Sequence, residues 1–108
     1  MLTLPIKKKW YDMIISGEKK EEYRDIKPYY TKRFQTKGLL DRYGLPVTTI
    51  QKLILKNGYG KDAPQALVDV TLDIRQGKPE WGAEVGKEYY VLKIVGIPIH
   101  SQMGGDGE

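Results

Sequence analysis

The feature that most limits the fold is the crowding of three strand-like runs into the second half of a 108-residue chain. Thr49 to Lys56 forms one. Ala66 to Arg75, with Leu67, Val68, Val70, Leu72 and Ile74, forms another, and Tyr89 to Ile97 the third. Between them lie Asn57-Gly58-Tyr59-Gly60-Lys61-Asp62-Ala63-Pro64 and Gly77-Lys78-Pro79-Glu80-Trp81-Gly82, whose glycines and prolines favour turns over continued pairing. Short strands of this kind suggest a barrel. A chain of this size buries about two-thirds of its unfolded surface around one core.

The first half changes period. Leu2, Leu4 and Ile6 alternate with Thr3 and Pro5, which reads as a short strand with Pro5 at an edge or an end. From about Lys8, Trp10, Met13 and Ile14 recur at helical spacing, and Gly17 follows Ser16 where a helix places its left-handed capping residue. Glu21 to Ile26 reads as strand through Tyr23 and Ile26. Pro28 then suits the first turn of a second helix carrying Tyr29, Tyr30, Arg33 and Phe34. Residues 35–47, with Gly38, Gly44 and Pro46 among charges, are expected to be the flexible loop. The expected fold class is α+β: a β-barrel of about five to six mixed strands with two short helices at its side. It occupies residues 1–99, with 100–108 as a tail.

Composition narrows the chemistry. No cysteine is present, which removes disulfides, thiol nucleophiles and thiolate metal sites. No apolar run reaches the about 18 residues of a membrane span, and the N-terminus does not have the charge order of a secretory signal. A cytoplasmic location, with no membrane partner, is expected. The formal net charge is +4, and the excess lies in residues 1–33, where nine Lys or Arg face five Asp or Glu. One-sided positive charge favours a polyanionic partner, because each phosphate neutralised releases a counterion. A solvated, Lys-rich surface explains the same charge equally well.

Gly17-Glu18-Lys19-Lys20-Glu21-Glu22-Tyr23-Arg24 fits the pattern Gly-x-Lys-x-x-Glu-x-Arg. Glu22 and Arg24, two apart, project from one face of a strand, and the turn at Gly17 can aim Lys19 toward them. A lysine, a carboxylate and a fork-shaped guanidinium suit a phosphate together with a base edge. The same residues also read as a surface ion pair worth about 0–1 kcal/mol beside solvated lysines. The pattern resembles the signature of ASCH domains, small relatives of PUA RNA-binding domains. The resemblance runs through Trp10, the Asn57–Pro64 loop, Glu80-Trp81-Gly82 and the last strand, covering residues 1 to about 97. It implies a PUA-like barrel whose cleft accepts RNA or a modified nucleoside or nucleotide.

The candidate ligand-binding residues are therefore Lys19, Glu22, Arg24, Tyr59, Lys61 and Trp81. Tyr59 and Trp81 are the stacking candidates, since Gly- and Pro-rich loops keep rings near solvent, where stacking contributes about 1–3 kcal/mol per base. Trp10 and Tyr30 are assigned to the core. Tyr29, Lys32 and Arg33 are placed to extend a phosphate track. Some ASCH proteins resemble amidohydrolases that deacylate N4-acetylcytidine with a lysine, a threonine three residues later and a remote glutamate. Here Lys19 is followed at that distance by Glu22, so the hydroxyl is missing and catalysis would fall to Lys19 and Glu22. Ribonuclease activity, also attached to the family, would use Lys19 with Tyr23 or Tyr59. The single His100 leaves no two-histidine mechanism, and the scattered acids suggest no metal site and no cofactor. Nothing in the sequence rejects a domain that works only through protein partners.

Overall fold

The computed structural model describes residues 1–101. Strand β1 (Thr3–Pro5) leads to helix α1 (Lys8–Ile15), strand β2 (Glu21–Arg24) and helix α2 (Pro28–Lys37). Strands β3 (Gln51–Lys56) and β4 (Gln65–Gln76), a 3-10 turn at Pro79–Trp81 and strand β5 (Glu88–His100) complete the chain. All five strands join one mixed sheet in the order β1-β3-β4-β5-β2, with β1 parallel to β3 and the other pairs antiparallel.

The sheet curls into a half-barrel because its two long strands do not pair evenly. The β4–β5 register shifts around Asp69, and an irregularity of this kind bends a strand and increases its twist. On the inner face Leu4 lies opposite Leu55, Leu53 opposite Val68, and Leu72 opposite Leu92. All six are buried, and a fully buried side chain of this kind contributes about 1.5–3 kcal/mol. Helix α1 adds Tyr11 and Ile14 to this core, and α2 adds Phe34. The Phe34 ring meets Tyr90 edge-on at 5.4 Å and stacks on Tyr30 at 5.9 Å. Pro28 opens α2 at its first turn, and Gly38, at φ 81°, ends it in the left-handed region that favours glycine.

Several boundaries move. Helix α2 extends to Lys37, and Leu39 and Leu40 behind it are buried, with Leu40 bridged to Pro46. The segment expected to be a flexible loop is thus part helix and part core, because two consecutive leucines outweigh the glycines around them. Strand β5 runs through His100, which pairs with Ala66, and Ser101 N–H donates to Gln65 O at 2.9 Å. The ordered structure therefore passes the expected boundary at residue 99. Met103 and the Gly104–Glu108 segment lie outside the described residues. Ile99 faces outward at the end of β5. No helix among the described residues is long and apolar enough to cross a membrane.

Candidate functional site

The sheet has two free edges, β1 and β2, and curling brings them near each other. Among the described residues no backbone ladder closes the gap. Instead Arg24 of β2 donates from Nη2 to the carbonyl of Pro5 in β1 at 2.7 Å. Asn57 Nδ2, just past β3, donates to Ile6 O at 2.9 Å. A side chain thus stitches the seam where a complete barrel would use main-chain bonds.

The register explains how Arg24 gets there. Glu22 pairs with Leu92 and Arg24 with Tyr90, so both charged residues sit on the sheet face that neighbouring strands fill with leucine, valine and tyrosine. Two helical turns of α1 end at Ser16, and Gly17 takes φ 85°, a conformation that costs glycine little. The turn is fixed by Lys19 N–H donating to Met13 O at 2.9 Å. It sends the Lys19 side chain inward, where it is 1% exposed.

A buried triad results. Glu22 Oε1 lies 3.2 Å from Lys19 Nζ, and Glu22 Oε2 lies 2.7 Å from Arg24 Nη2. Lys19 also donates to Trp81 O at 2.7 Å and packs 5.0 Å from the centre of the Trp10 ring and 4.7 Å from that of Tyr23. Burial pushes the Lys19 ammonium below the ordinary lysine value, and Glu22 pulls it part of the way back. Two cations share one carboxylate in a space largely closed to water. Arg24 Nε is buried with no hydrogen-bond partner, so the triad has one cation too many and one donor unsatisfied.

A cavity of about 450 Å³ opens at the seam beside this triad. Pro5, Ile6 and Lys7 form one wall and Glu22 and Arg24 the other, with Trp10, Lys27 and Tyr30 around the mouth. Asp25, also at the mouth, is held by Lys87 at 3.0 Å. The site therefore combines aromatic faces with net positive charge. Among the described residues no group of three or more His, Cys, Asp or Glu side chains is placed to hold a metal ion.

The six residues singled out from the sequence divide. Lys19, Glu22 and Arg24 come together, as a buried triad in place of the alternative surface ion pair. Lys19 stands behind the cavity wall, hemmed in by Glu22, Trp81 O and two rings, and does not line the cavity itself. Trp81 reaches the triad through its carbonyl, and its ring lies under Lys78 at 4.5 Å instead of on the seam. Tyr59 is 92% exposed and borders a neighbouring cavity of about 360 Å³ across the Pro5–Lys7 segment. Lys61 is exposed on the same loop and lines neither cavity. Tyr23 turns its hydroxyl away, donating to Glu21 Oε1 at 2.8 Å and accepting from Lys78 N–H at 2.9 Å.

Trp10 and Tyr30, assigned to the core by helical spacing, are half-buried and line the cavity. In the sequence Lys7 is visible only as part of the N-terminal charge excess, and Lys27 also as part of a basic and aromatic run with Tyr29, Tyr30, Lys32 and Arg33. Their position follows from two distant segments meeting at the seam, which no local pattern reports.

Both Glu22 oxygens face cations, so its carboxylate is committed to the triad before any ligand arrives. Among the described residues no serine or threonine lines the cavity. The arrangement suits holding an anionic group better than activating water. Comparison of the chain with family models, with curated proteins and with solved structures finds no match.

Proposed function

We propose that the domain is a binding module whose seam cavity takes a nucleotide unit, from RNA or from a modified nucleotide. The observation that carries this reading is the uncompensated buried cation of the Lys19–Glu22–Arg24 triad beside a cavity ringed by Lys7, Lys27, Trp10 and Tyr30. An anion placed there supplies the missing negative charge in a low-dielectric setting, where ion pairing is stronger than in water. A base has rings to stack on. A volume of about 450 Å³ lies within the about 300–1,000 Å³ of small-ligand sites. The half-barrel with its charged second strand also fits the PUA-like fold that the ASCH-type pattern implies, and RNA is the polymer that resemblance favours.

The test is fluorescence anisotropy of labelled single-stranded RNA across a salt series, with wild type, Lys7→Glu and Lys27→Glu. These lysines are exposed, so replacing them tests binding without disturbing the buried triad. Salt-dependent binding that weakens in both variants supports the reading, and the salt slope should fall by about 0.7 for each phosphate no longer neutralised. Binding indifferent to both lysines, or none at low salt, refutes it.

A further inference from the structure

Helix α2 and its flanks carry basic residues with no acidic residue among them. Between Asp25 and Asp41 there is no acidic residue, while Lys27, Lys32, Arg33 and Lys37 fall in that interval. Among the described residues none of these four makes a salt bridge. The bounding acids are occupied elsewhere: Asp25 by Lys87, and Asp41 Oδ1 by the N–H groups of Tyr43 and Leu45 at 2.8 and 3.0 Å. Arg33 and Lys37 stand one turn apart, a like-charge spacing that costs a helix about 0.2–0.5 kcal/mol.

The charges follow a path. Lys27 and Tyr30, at the start of α2, line the seam cavity. Lys32, Arg33, Thr36 and Lys37, further along, line a groove of about 600 Å³ whose other wall is Met1 and Leu2. Beside the groove, Tyr29 is 52% exposed, and the Arg33 guanidinium lies 3.5 Å from the centre of its ring. Arg33 Nη1 is pinned there by donating to Tyr29 O at 2.9 Å. A tyrosine with a flat guanidinium on its face is a surface on which an unpaired base can stack.

We infer that α2 carries the backbone of a single-stranded nucleic acid from the seam cavity into the Lys32–Lys37 groove, so that the ligand is a polymer segment and not a lone nucleotide. The inference rests on the seam-cavity reading and deepens it. Ten helical residues at about 1.5 Å each span about 15 Å, the length of about four stacked nucleotides at about 3.4 Å per step. A mononucleotide in the cavity leaves the far cations unused, whereas a strand neutralises them in turn.

The experiment compares uridine monophosphate with an oligouridylate of about twelve nucleotides, long enough to exceed the track of about four. Wild type and the double variant Lys32→Glu, Lys37→Glu are both titrated across a salt series. Circular dichroism checks that the variant folds, and Lys32→Gln, Lys37→Gln serves if charge reversal disturbs the helix. Uridine monophosphate should bind both proteins alike. The oligonucleotide should bind wild type more tightly than the monophosphate does. In the variant its salt slope should fall by about 1.4 units and its affinity by about 25-fold near 0.1 M salt, at about 0.7 units per phosphate. Monophosphate binding without any gain for the oligonucleotide, or an oligonucleotide affinity unchanged in the variant, overturns the track and leaves the cavity standing. Failure of both ligands on wild type overturns both readings. Lysine-dependent binding to phosphatidylserine vesicles tighter than to the oligonucleotide assigns the face to a membrane and also overturns the inference.

Discussion

Replacing Glu22 with glutamine should destabilise the domain far more than replacing Lys19 with methionine, although the two residues form the same ion pair. Both side chains are at least nine-tenths buried, as is Arg24. Glutamine keeps the shape of Glu22 but removes the carboxylate that lies 3.2 Å from Lys19 and 2.7 Å from Arg24. Two unpaired cations then face each other in the interior. Breaking a buried pair in this way costs about 3–5 kcal/mol, a large part of the about 5–15 kcal/mol by which domains are stable. Methionine in place of Lys19 leaves the Arg24–Glu22 pair intact and neutral. It also relieves the desolvation that lowers the lysine's proton affinity. What disappears is the donor to Trp81 O and the ion pair to Glu22 Oε1, a net loss of about 1–2 kcal/mol once the relieved desolvation of the ammonium is set against it. With a urea m-value of about 1.5 kcal/mol per M, the midpoint should fall by about 2–3 M for Glu22→Gln and by about 1 M for Lys19→Met. Equal falls in the two variants, or a Glu22→Gln midpoint within about 0.5 M of wild type, would refute the account of an over-cationic buried triad.

Other consequences follow from the same packing. Gly77→Ala should cost about 2–3 kcal/mol in thermal or urea unfolding, because its Cβ would stand 2.5 Å from Tyr23 Cε1 and 2.8 Å from Ala83 Cβ, an overpacking with a ring on one side and a methyl group on the other. Phe34→Ala, which empties the space between α2 and Tyr90, should cost about 3–5 kcal/mol in the same assay. Burial pushes the Glu21 carboxyl up, but hydrogen bonds from Arg75 and Tyr23 pull it further down, leaving it below the ordinary carboxylate value. Its folded-state pKa being depressed, its contribution is fully present above the unfolded value of about 4.3 and lost as pH falls through the folded one. Urea midpoints measured through that acid window should decline less steeply in Glu21→Gln than in wild type.

How much of this is legible in the sequence depends on the range of the interaction. Elements set by local chemistry are readable: Pro28 starting α2, Gly17 turning the chain after α1, and the β-rich run from Gln51 onward. The Glu22–Arg24 partnership also follows from spacing alone, since residues two apart share a strand face. Its burial does not. That depends on β2 pairing with β5 so that Glu22 and Arg24 lie opposite Leu92 and Tyr90, a register fixed by residues some seventy positions away in the chain. Leu39 and Leu40 escape a local reading for a related reason: glycine content describes the turn, while the core space that receives two leucines belongs to the whole fold. Trp10 and Tyr30 share their helical faces with core residues, so spacing alone does not separate a cavity wall from an interior position.

The seam cavity itself is most directly tested by nitrogen-resolved NMR of the wild-type domain titrated with oligouridylate, following the Arg24 Nε–H and Trp10 indole N–H signals. Arg24 Nε–H is buried without a partner, and the Trp10 ring borders the cavity, so each reports on the seam from a different side. Both signals should shift together with the amides of Lys7 and Lys27, saturating at one oligonucleotide per domain. Shifts confined to the Tyr59 loop or to the outer face of β4 and β5, with both side-chain signals unmoved, would contradict it.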